Sequence, residues 1–298
     1  MADQIRRRKT EDKGRRNIGR PFAFAMVMVL AFALVYTFAF TGNSYWMPGD
    51  NEIIVAFLDV GQGDSMLIWS RDNAILIDGG DTNQGNTVLE YLRLGGIGRL
   101  DYVIATHPHR DHIGGLVTVL GRVEVGQVIM PDVVHTTTAF ENLIAVIDNN
   151  QIPVVIPEAG EEFAAGIINF TVLGPLPGHR NLNDASIVLR LNHGDTAFLF
   201  TGDVEAAGER ALLASGMCLQ ADVLKVGHHG SRTSSTAAFL DAVSPGVAVI
   251  TVGSGNQFGH PHGEVLQRLY ERNIAVYRTD EMGTVVMATD GSRIVLLR

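Results

Sequence analysis

Four residues able to bind a metal or move a proton fall within six positions of the stretch THPHRDHIGG, residues 106–115: His107, His109, Asp111 and His112. The run ahead of it, Leu100–Ala105, is apolar and strand-like, and Ile113–Leu120 reads as the start of a helix. That order restricts the fold. A buried strand opens into a ligand-rich loop, and such a loop becomes a site only where other segments bring groups to the same point. In an irregular loop, the spacing of two between His107 and His109 can aim both imidazoles at one place. The adjacent Asp111 and His112 can turn toward a second. Gly114 and Gly115 permit close backbone approach where the helix begins.

The remaining pattern mixes strands and helices. Strand-like runs cover Ile53–Asp59, Ser65–Trp69, Ala74–Ile77 and Gln127–Met130, with helices over Asn86–Gly95 and Ala139–Asn149. After Pro153 and Pro157 the pattern restarts. Strands are expected at Ile167–Leu173, Ser186–Leu191, Ala197–Phe200, Asp222–Val226 and Val247–Val252, and helices at Val204–Ala214, Ser234–Val243 and Glu264–Arg272. Short strands near Ala275–Tyr277, Thr284–Ala288 and Ile294–Leu297 close the chain. Two sheets between helices fit this order, the halves before and after about residue 160 each supplying one. Both halves carry candidate ligands, so they are read as one domain.

The N-terminal part differs. Residues 1–20 hold eight basic and three acidic side chains, and FAFAMVMVLAFALVYTFAF, residues 22–40, has no charge. At about 1.5 Å per residue this run nearly spans a hydrocarbon core of about 30 Å. The reading is a basic cytoplasmic tail (1–20), a single transmembrane signal anchor (21–42), a linker (43–51) and a folded domain (52–298) outside the cytoplasmic membrane, a cleaved signal being the alternative. Beyond residue 20 the chain has 29 acidic and 15 basic residues, a net charge of −14. That argues against tight, sequence-independent nucleic-acid binding through a basic surface, though not against a nuclease whose metals meet the phosphate. One cysteine, Cys218, leaves no internal disulfide partner.

THPHRDHIGG resembles the HxHxDH signature of the metallo-β-lactamase fold. FLDVGQGDSMLI (57–68), ILIDGG (75–80), LNDASIVLRL (182–191), FLFTGDVE (198–205), DVLKVGHHGSRTS (222–234) and FGHP (258–261) follow in order and resemble the exterior hydrolase domain of ComEC-type competence proteins of DNA internalisation. The resemblance covers about residues 52–298. It implies an αββα four-layer sandwich and two divalent ions, zinc or manganese. His107 and His109 would hold one ion, Asp111 and His112 the second, Asp203 would bridge both, and His228 would complete the second site. Asp203 is also placed to cap a helix beginning at Val204, and the two roles are compatible. The superfamily's third-motif histidine has no clear match. Asp184, in NDAS, is the candidate ligand there, with His179 read as a loop residue and His193 as part of a hairpin turn.

Asp78 would orient a ligand or the attacking water, or simply form the turn before Gly79-Gly80. His229 would stand beside the site or face substrate, and Lys225 could meet a phosphate or lie in solvent. His260 would contact the scissile group. Asp59 and Asp64 flank the GQG turn without an assignable role, and His135 and His262 have no support beyond composition. The implied activity is a metal-dependent phosphodiesterase or nuclease acting on DNA, in which a metal-bridging hydroxide attacks phosphorus and Asp111 orients it. The competing reading is hydrolysis of another exterior substrate, a cell-wall phosphodiester or a small ester or lactone. A scaffold that has lost catalysis is disfavoured by the intact ligand set. Competence proteins of this type carry many membrane spans, so one span cannot be the channel.

Overall fold

The computed structural model describes residues 47–179 and 181–298. The tail and the apolar run of 22–40 lie outside the described residues. Among the described residues no helix is long and apolar enough to cross a membrane.

Residues 47–298 form two sheets packed face to face. The first contains β1 (Ile53–Phe57), β2 (Met66–Trp69), β3 (Ala74–Ile77), β4 (Arg99–Ile104), β5 (Glu124–Ile129) and β6 (Val154–Val155). The second contains β7 (Glu162–Ala165), β8 (Ile168–Gly174), β9 (Val188–His193), β10 (Thr196–Phe200), β11 (Val223–Lys225), β12 (Val247–Ile250) and β13 (Ala275–Arg278) in the order 13-12-11-10-9-8-7. β14 (Val285–Thr289) and β15 (Ile294–Leu296) return to the first sheet, giving the order 15-14-1-2-3-4-5-6. The expectation that each half of the chain builds its own sheet is therefore corrected at the C-terminus. The reason lies in β1: all five of its residues are buried, and without β14 on its flank, Ile53 against Thr289 through Phe57 against Val285, it would be an apolar open edge.

The strands read as continuous hydrophobic runs because both faces are covered. In β1, Ile53, Val55 and Phe57 point into the core between the sheets, while Ile54 and Ala56 face the outer helices. β10 repeats this, with Phe198 and Phe200 inward and Ala197 and Leu199 outward. α1 (Gly85–Leu94), α2 (Arg110–Ile113), α3 (Leu116–Leu120) and α4 (Thr138–Asn149) cover the first sheet; α5 (Ala206–Ser215), α6 (Ala237–Val243) and α7 (Gly263–Glu271) cover the second. α8 (Thr279–Met282) is a single turn before β14. The result is the expected αββα sandwich.

Two details bear on the site. The single helix expected over Ile113–Leu120 is broken into α2 and α3 at Gly114-Gly115. A Cβ at Gly115 would lie 2.0 Å from the Gly79 carbonyl oxygen, so the turn after β3 packs directly against the histidine loop. β3–β4–β5 and β10–β11–β12–β13 run parallel within their sheets. The loops leaving β3, β4, β10, β11 and β12 carry Asp78, His107–His112, Asp203, His228-His229 and Thr251.

Candidate metal centre

The centre is built on Asp78. It follows β3 in a left-handed backbone conformation (φ 56°) and is fully buried. Oδ1 accepts the backbone N–H of Thr106 at 2.8 Å, and Oδ2 accepts the Thr106 hydroxyl at 2.7 Å. The hydroxyl proton is thus spent, so Thr106 Oγ1 can only accept from His107 Nδ1, 3.1 Å away. His112 Nδ1 lies 2.8 Å from Asp78 Oδ2 and donates to it. One carboxylate therefore fixes both imidazoles with Nε2 turned toward the cleft, the orientation a metal needs.

The free nitrogens meet Asp203. Its Oδ2 is 3.8 Å from His107 Nε2, 3.3 Å from His112 Nε2 and 3.5 Å from His229 Nε2. His107 Nε2 also lies 2.9 Å from His109 Nδ1. Two imidazole nitrogens this close need a proton or a cation between them. His229 Nε2 is 3.5 Å from Asp111 Oδ2. Ligand atoms of His107, His109 and Asp203 lie within 4.8 Å of one another, as do those of Asp111, His112 and His229. His112 Nε2, His229 Nε2 and Asp203 Oδ1 are buried without a hydrogen-bond partner, an expensive state for polar atoms unless a ligand satisfies them. Imidazole and carboxylate donors of this kind suit a divalent cation, so the residues present fit two such ions.

Four expectations change. His229, rather than His228, joins Asp111 and His112. Both residues have left-handed backbones (φ 53° and 50°), a strained conformation held by its surroundings. His229 is buried and donates from Nδ1 to the Thr251 carbonyl at 2.9 Å. His228 is directed to the rim, with Nδ1 3.4 Å from Glu205 Oε1 and Nε2 3.7 Å from Asp203 Oδ2. Asp184 does not reach the cluster. Its Oδ1 accepts the backbone N–H groups of Glu205 and Gly208, both at 3.0 Å, and so caps α5 from across the fold. α5 begins at Ala206, so Asp203 is not its cap. Lys225 is fully buried: its ammonium pairs with Asp64 and donates to the Gly202 carbonyl at 3.0 Å, and it cannot meet substrate.

Asp64 is the residue the sequence left without a role. It is fully buried, accepts the Thr251 hydroxyl, and stands 3.3 Å from His229 Nδ1 and 3.9 Å from His112 Nδ1. The signal was its place beside Gly63, where φ is +144° and a Cβ would sit 2.2 Å from the Asp111 carbonyl oxygen. That approach lays the GQG turn onto the histidine loop. His260 lies at the mouth, its ring 5.6 Å from that of His228 and 6.4 Å from that of His229. His135 bonds Thr137, His193 ends β9 and bonds the Asn51 carbonyl, and His179 lies in a loop and in none of the ligand groups. Cys218 is exposed.

Burial opposes charge on each of these groups. On Asp203 and Asp111 it is outweighed by His112 and His229, and both carboxyls are held below their ordinary range. On His112 burial is outweighed by Asp203 and Asp78, and its pKa is raised; on His229 it is outweighed by Asp203 and Asp64, and the pKa rises to about 9. Burial, then His112, pushes His107 well below its usual value. The carboxylates thus favour positive charge at the centre of the cluster.

A model of the metallo-beta-lactamase superfamily matches residues 58–253. The chain belongs to the metallo-beta-lactamase superfamily. It is 32% identical to ComE operon protein 3 of Bacillus subtilis (strain 168) over 250 residues, 78% of this chain and 32% of that protein. It is also 32% identical to Competence protein ComA of Neisseria gonorrhoeae over 240 residues, 79% of this chain and 32% of that one. The chain thus spans about a third of the length of these relatives. The fold recurs in Igni18, a metallo hydrolase from Ignicoccus hospitalis, with a TM-score of 0.53 at 14% identity over 79% of this chain and 98% of that one. It recurs in CmlA, a diiron beta-hydroxylase from Streptomyces venezuelae, with a TM-score of 0.53 at 15% identity over 84% and 55%. Superfamily and His/Asp cluster together imply a hydrolase that uses divalent metal ions.

Two expected results follow. Asp184→Ala should lower stability by about 1 kcal/mol, the usual cost of a lost cap, and leave metal content unchanged; elemental analysis showing a lost ion would restore Asp184 as a ligand. The raised His229 pKa makes a second, signed prediction. Its proton is held to about pH 9 in the folded chain, against about 6.5 unfolded. The stabilisation is complete below about pH 6.5 and disappears as pH climbs to about 9. Chelator-treated protein should therefore melt at falling temperature across that window, and added zinc, taking the same nitrogen, should flatten the trend. A flat profile in chelator would contradict the assignment.

Proposed function

We propose that this chain is a binuclear metal-dependent phosphodiesterase anchored by residues 21–42 with its catalytic domain outside the cytoplasmic membrane, and that its substrate is DNA. The observation that carries the reading is the set of buried ligand atoms without partners that converge on Asp203. His107, His109 and Asp203 would hold one ion; Asp111, His112, His229 and Asp203 the other. When bound, two such ions supply Lewis acidity to a phosphoryl oxygen and bring the pKa of water toward about 7.

The chain's residues complete the reaction. Asp111, a carboxylate held ionised by His229 and His112 and one-third exposed, orients the attacking water and can accept its proton at Oδ2. Asp78 keeps His107 and His112 in the required tautomers. Burial, then His229 and His228, lowers the His260 pKa to about 4. At neutral pH it is therefore an uncharged imidazole, an N–H donor to a phosphoryl oxygen rather than an acid. The DNA substrate is supported by the similarity to proteins named for competence and by "Recombination protein 2" of Haemophilus influenzae, 32% identical over 76% of this chain.

A specific observation favours a second reading. With 29 acidic and 15 basic residues beyond position 20, a polyanion is repelled outside the cleft, which favours a small ester or lactone; a cell-wall phosphodiester, itself anionic, is the other competing substrate. The test is hydrolysis of single-stranded DNA, duplex DNA and bis-p-nitrophenyl phosphate, with metal content measured on the same sample. DNA cleavage that needs added zinc or manganese supports the nuclease. About two ions per chain with only the small diester cleaved moves the assignment to the second reading, and no ion with no hydrolysis removes both. Membrane fractionation and protease accessibility of the domain in intact cells test the anchor.

A further inference from the structure

We propose that Phe258 is the stacking platform on which an unpaired nucleobase of the substrate strand rests beside the scissile phosphodiester; this deepens the phosphodiesterase reading and depends on it. Phe258 is 53% exposed. A lone exposed apolar ring is ordinary on a protein surface, but this one has a particular position. It stacks on His260, with centroids 5.6 Å apart and planes at 26°. His260 stacks in turn toward His229 at 6.4 Å and 29°, and His229 meets His112 in a tilted contact at 5.3 Å and 38°. A column of ring contacts, stacked at its outer end and tilted at its inner one, thus runs from solvent to the metal centre, and Phe258 is its outer end. A flat ring added there extends the column.

The platform is rigid. Asn256 Oδ1 accepts the backbone N–H groups of Phe258 at 3.1 Å and His260 at 3.0 Å. Asn256 Nδ2 donates to the carbonyls of Gly253 at 3.0 Å and His260 at 2.6 Å. Four bonds from one side chain hold the loop that presents the ring, so little ordering is needed when a base arrives.

Charge points the same way. The acidic chain beyond residue 20 offers no broad basic track for phosphates, so strand binding needs a source that is not electrostatic, and base–aromatic stacking is one. The requirement is selective. A polyol-phosphate wall polymer has no flat ring, and a base inside a duplex has both faces covered. The class of substrate is single-stranded nucleic acid.

The full chain in detergent with zinc, and its Phe258→Ala and Phe258→Trp variants, would be titrated with short oligodeoxythymidylate and with an abasic strand of the same length. Cleavage of labelled strand and of bis-p-nitrophenyl phosphate is read in parallel. Wild type should bind the base-bearing strand about tenfold or more tightly than the abasic one. Phe258→Ala should lose that preference while keeping its melting temperature and its bound metal. Phe258→Trp should keep it, with indole emission quenched by the base-bearing strand alone. Equal binding of both strands by wild type, or a preference that survives Phe258→Ala, overturns the inference. If strands are still cleaved in that case, the nuclease reading stands without it; if neither strand nor small diester is hydrolysed, both fall.

Discussion

Asp203→Ala should lower hydrolysis by at least about 10²–10³-fold, the range for removal of one preorganised electrostatic group, and should reduce bound metal. Four imidazoles, those of His107, His112, His228 and His229, place Nε2 within 3.8 Å of its Oδ2, and in the proposed centre both ligand groups draw on it. The carboxylate is nearly fully buried, so its loss leaves His112 and His229 facing each other without the charge that raises their pKa values. Substrate affinity should suffer less than turnover, because the change acts where charge develops in the transition state. Asp203→Asn keeps the volume and one acceptor oxygen but removes the charge, and should still lose most activity. Elemental analysis and steady-state kinetics on the same samples check this. Full metal content with near-normal turnover in Asp203→Ala would remove Asp203 from the centre.

Lys225→Met should destabilise the fold by about 3–5 kcal/mol, the cost of breaking a buried ion pair by removing one partner. Lys225 and Asp64 are both fully buried. Burial raises the Asp64 pKa, but Lys225, then His229, outweigh it and keep the carboxyl ionised. With Lys225 gone, a negative charge is left in the interior beneath His229. Asp64→Asn with Lys225→Met should recover part of the loss, because no unpaired charge remains. Urea unfolding measures both. A phosphate-binding lysine predicts the opposite pattern: unchanged stability and a raised KM.

The two lysine readings show where sequence reasoning stops. KVGHHG contains a lysine at the end of a strand, and nothing local says whether its ammonium faces solvent or the interior. Burial on β11 between β10 and β12, with Asp64 arriving from a turn 161 positions earlier, decides it. The choice between His228 and His229 is of the same kind. Adjacent residues in a left-handed turn send their rings to different sides, and the Thr251 carbonyl from the loop after β12 selects His229 for the interior. Asp184 resembled a ligand by its motif, and only the arrival of the α5 N-terminus shows its carboxylate already spent on two backbone N–H groups.

Much else was legible. The sequence by itself determined the layered α/β class, because apolar runs of strand length alternating with helical ones admit few architectures. The partnership of the THPHRDHIGG loop with Asp78 and Asp203 was implied by the family resemblance, whereas the layered class and the density of ligands in that loop came from the residues themselves. These are local signals, written in periodicity and residue type. Tertiary structure alone decided that β14 closes the flank of β1, that Asp64 belongs beneath the centre, and which histidine of the pair turns inward. Each depends on contacts between segments far apart in the chain, where packing and charge pairing choose among conformations that local sequence leaves equal.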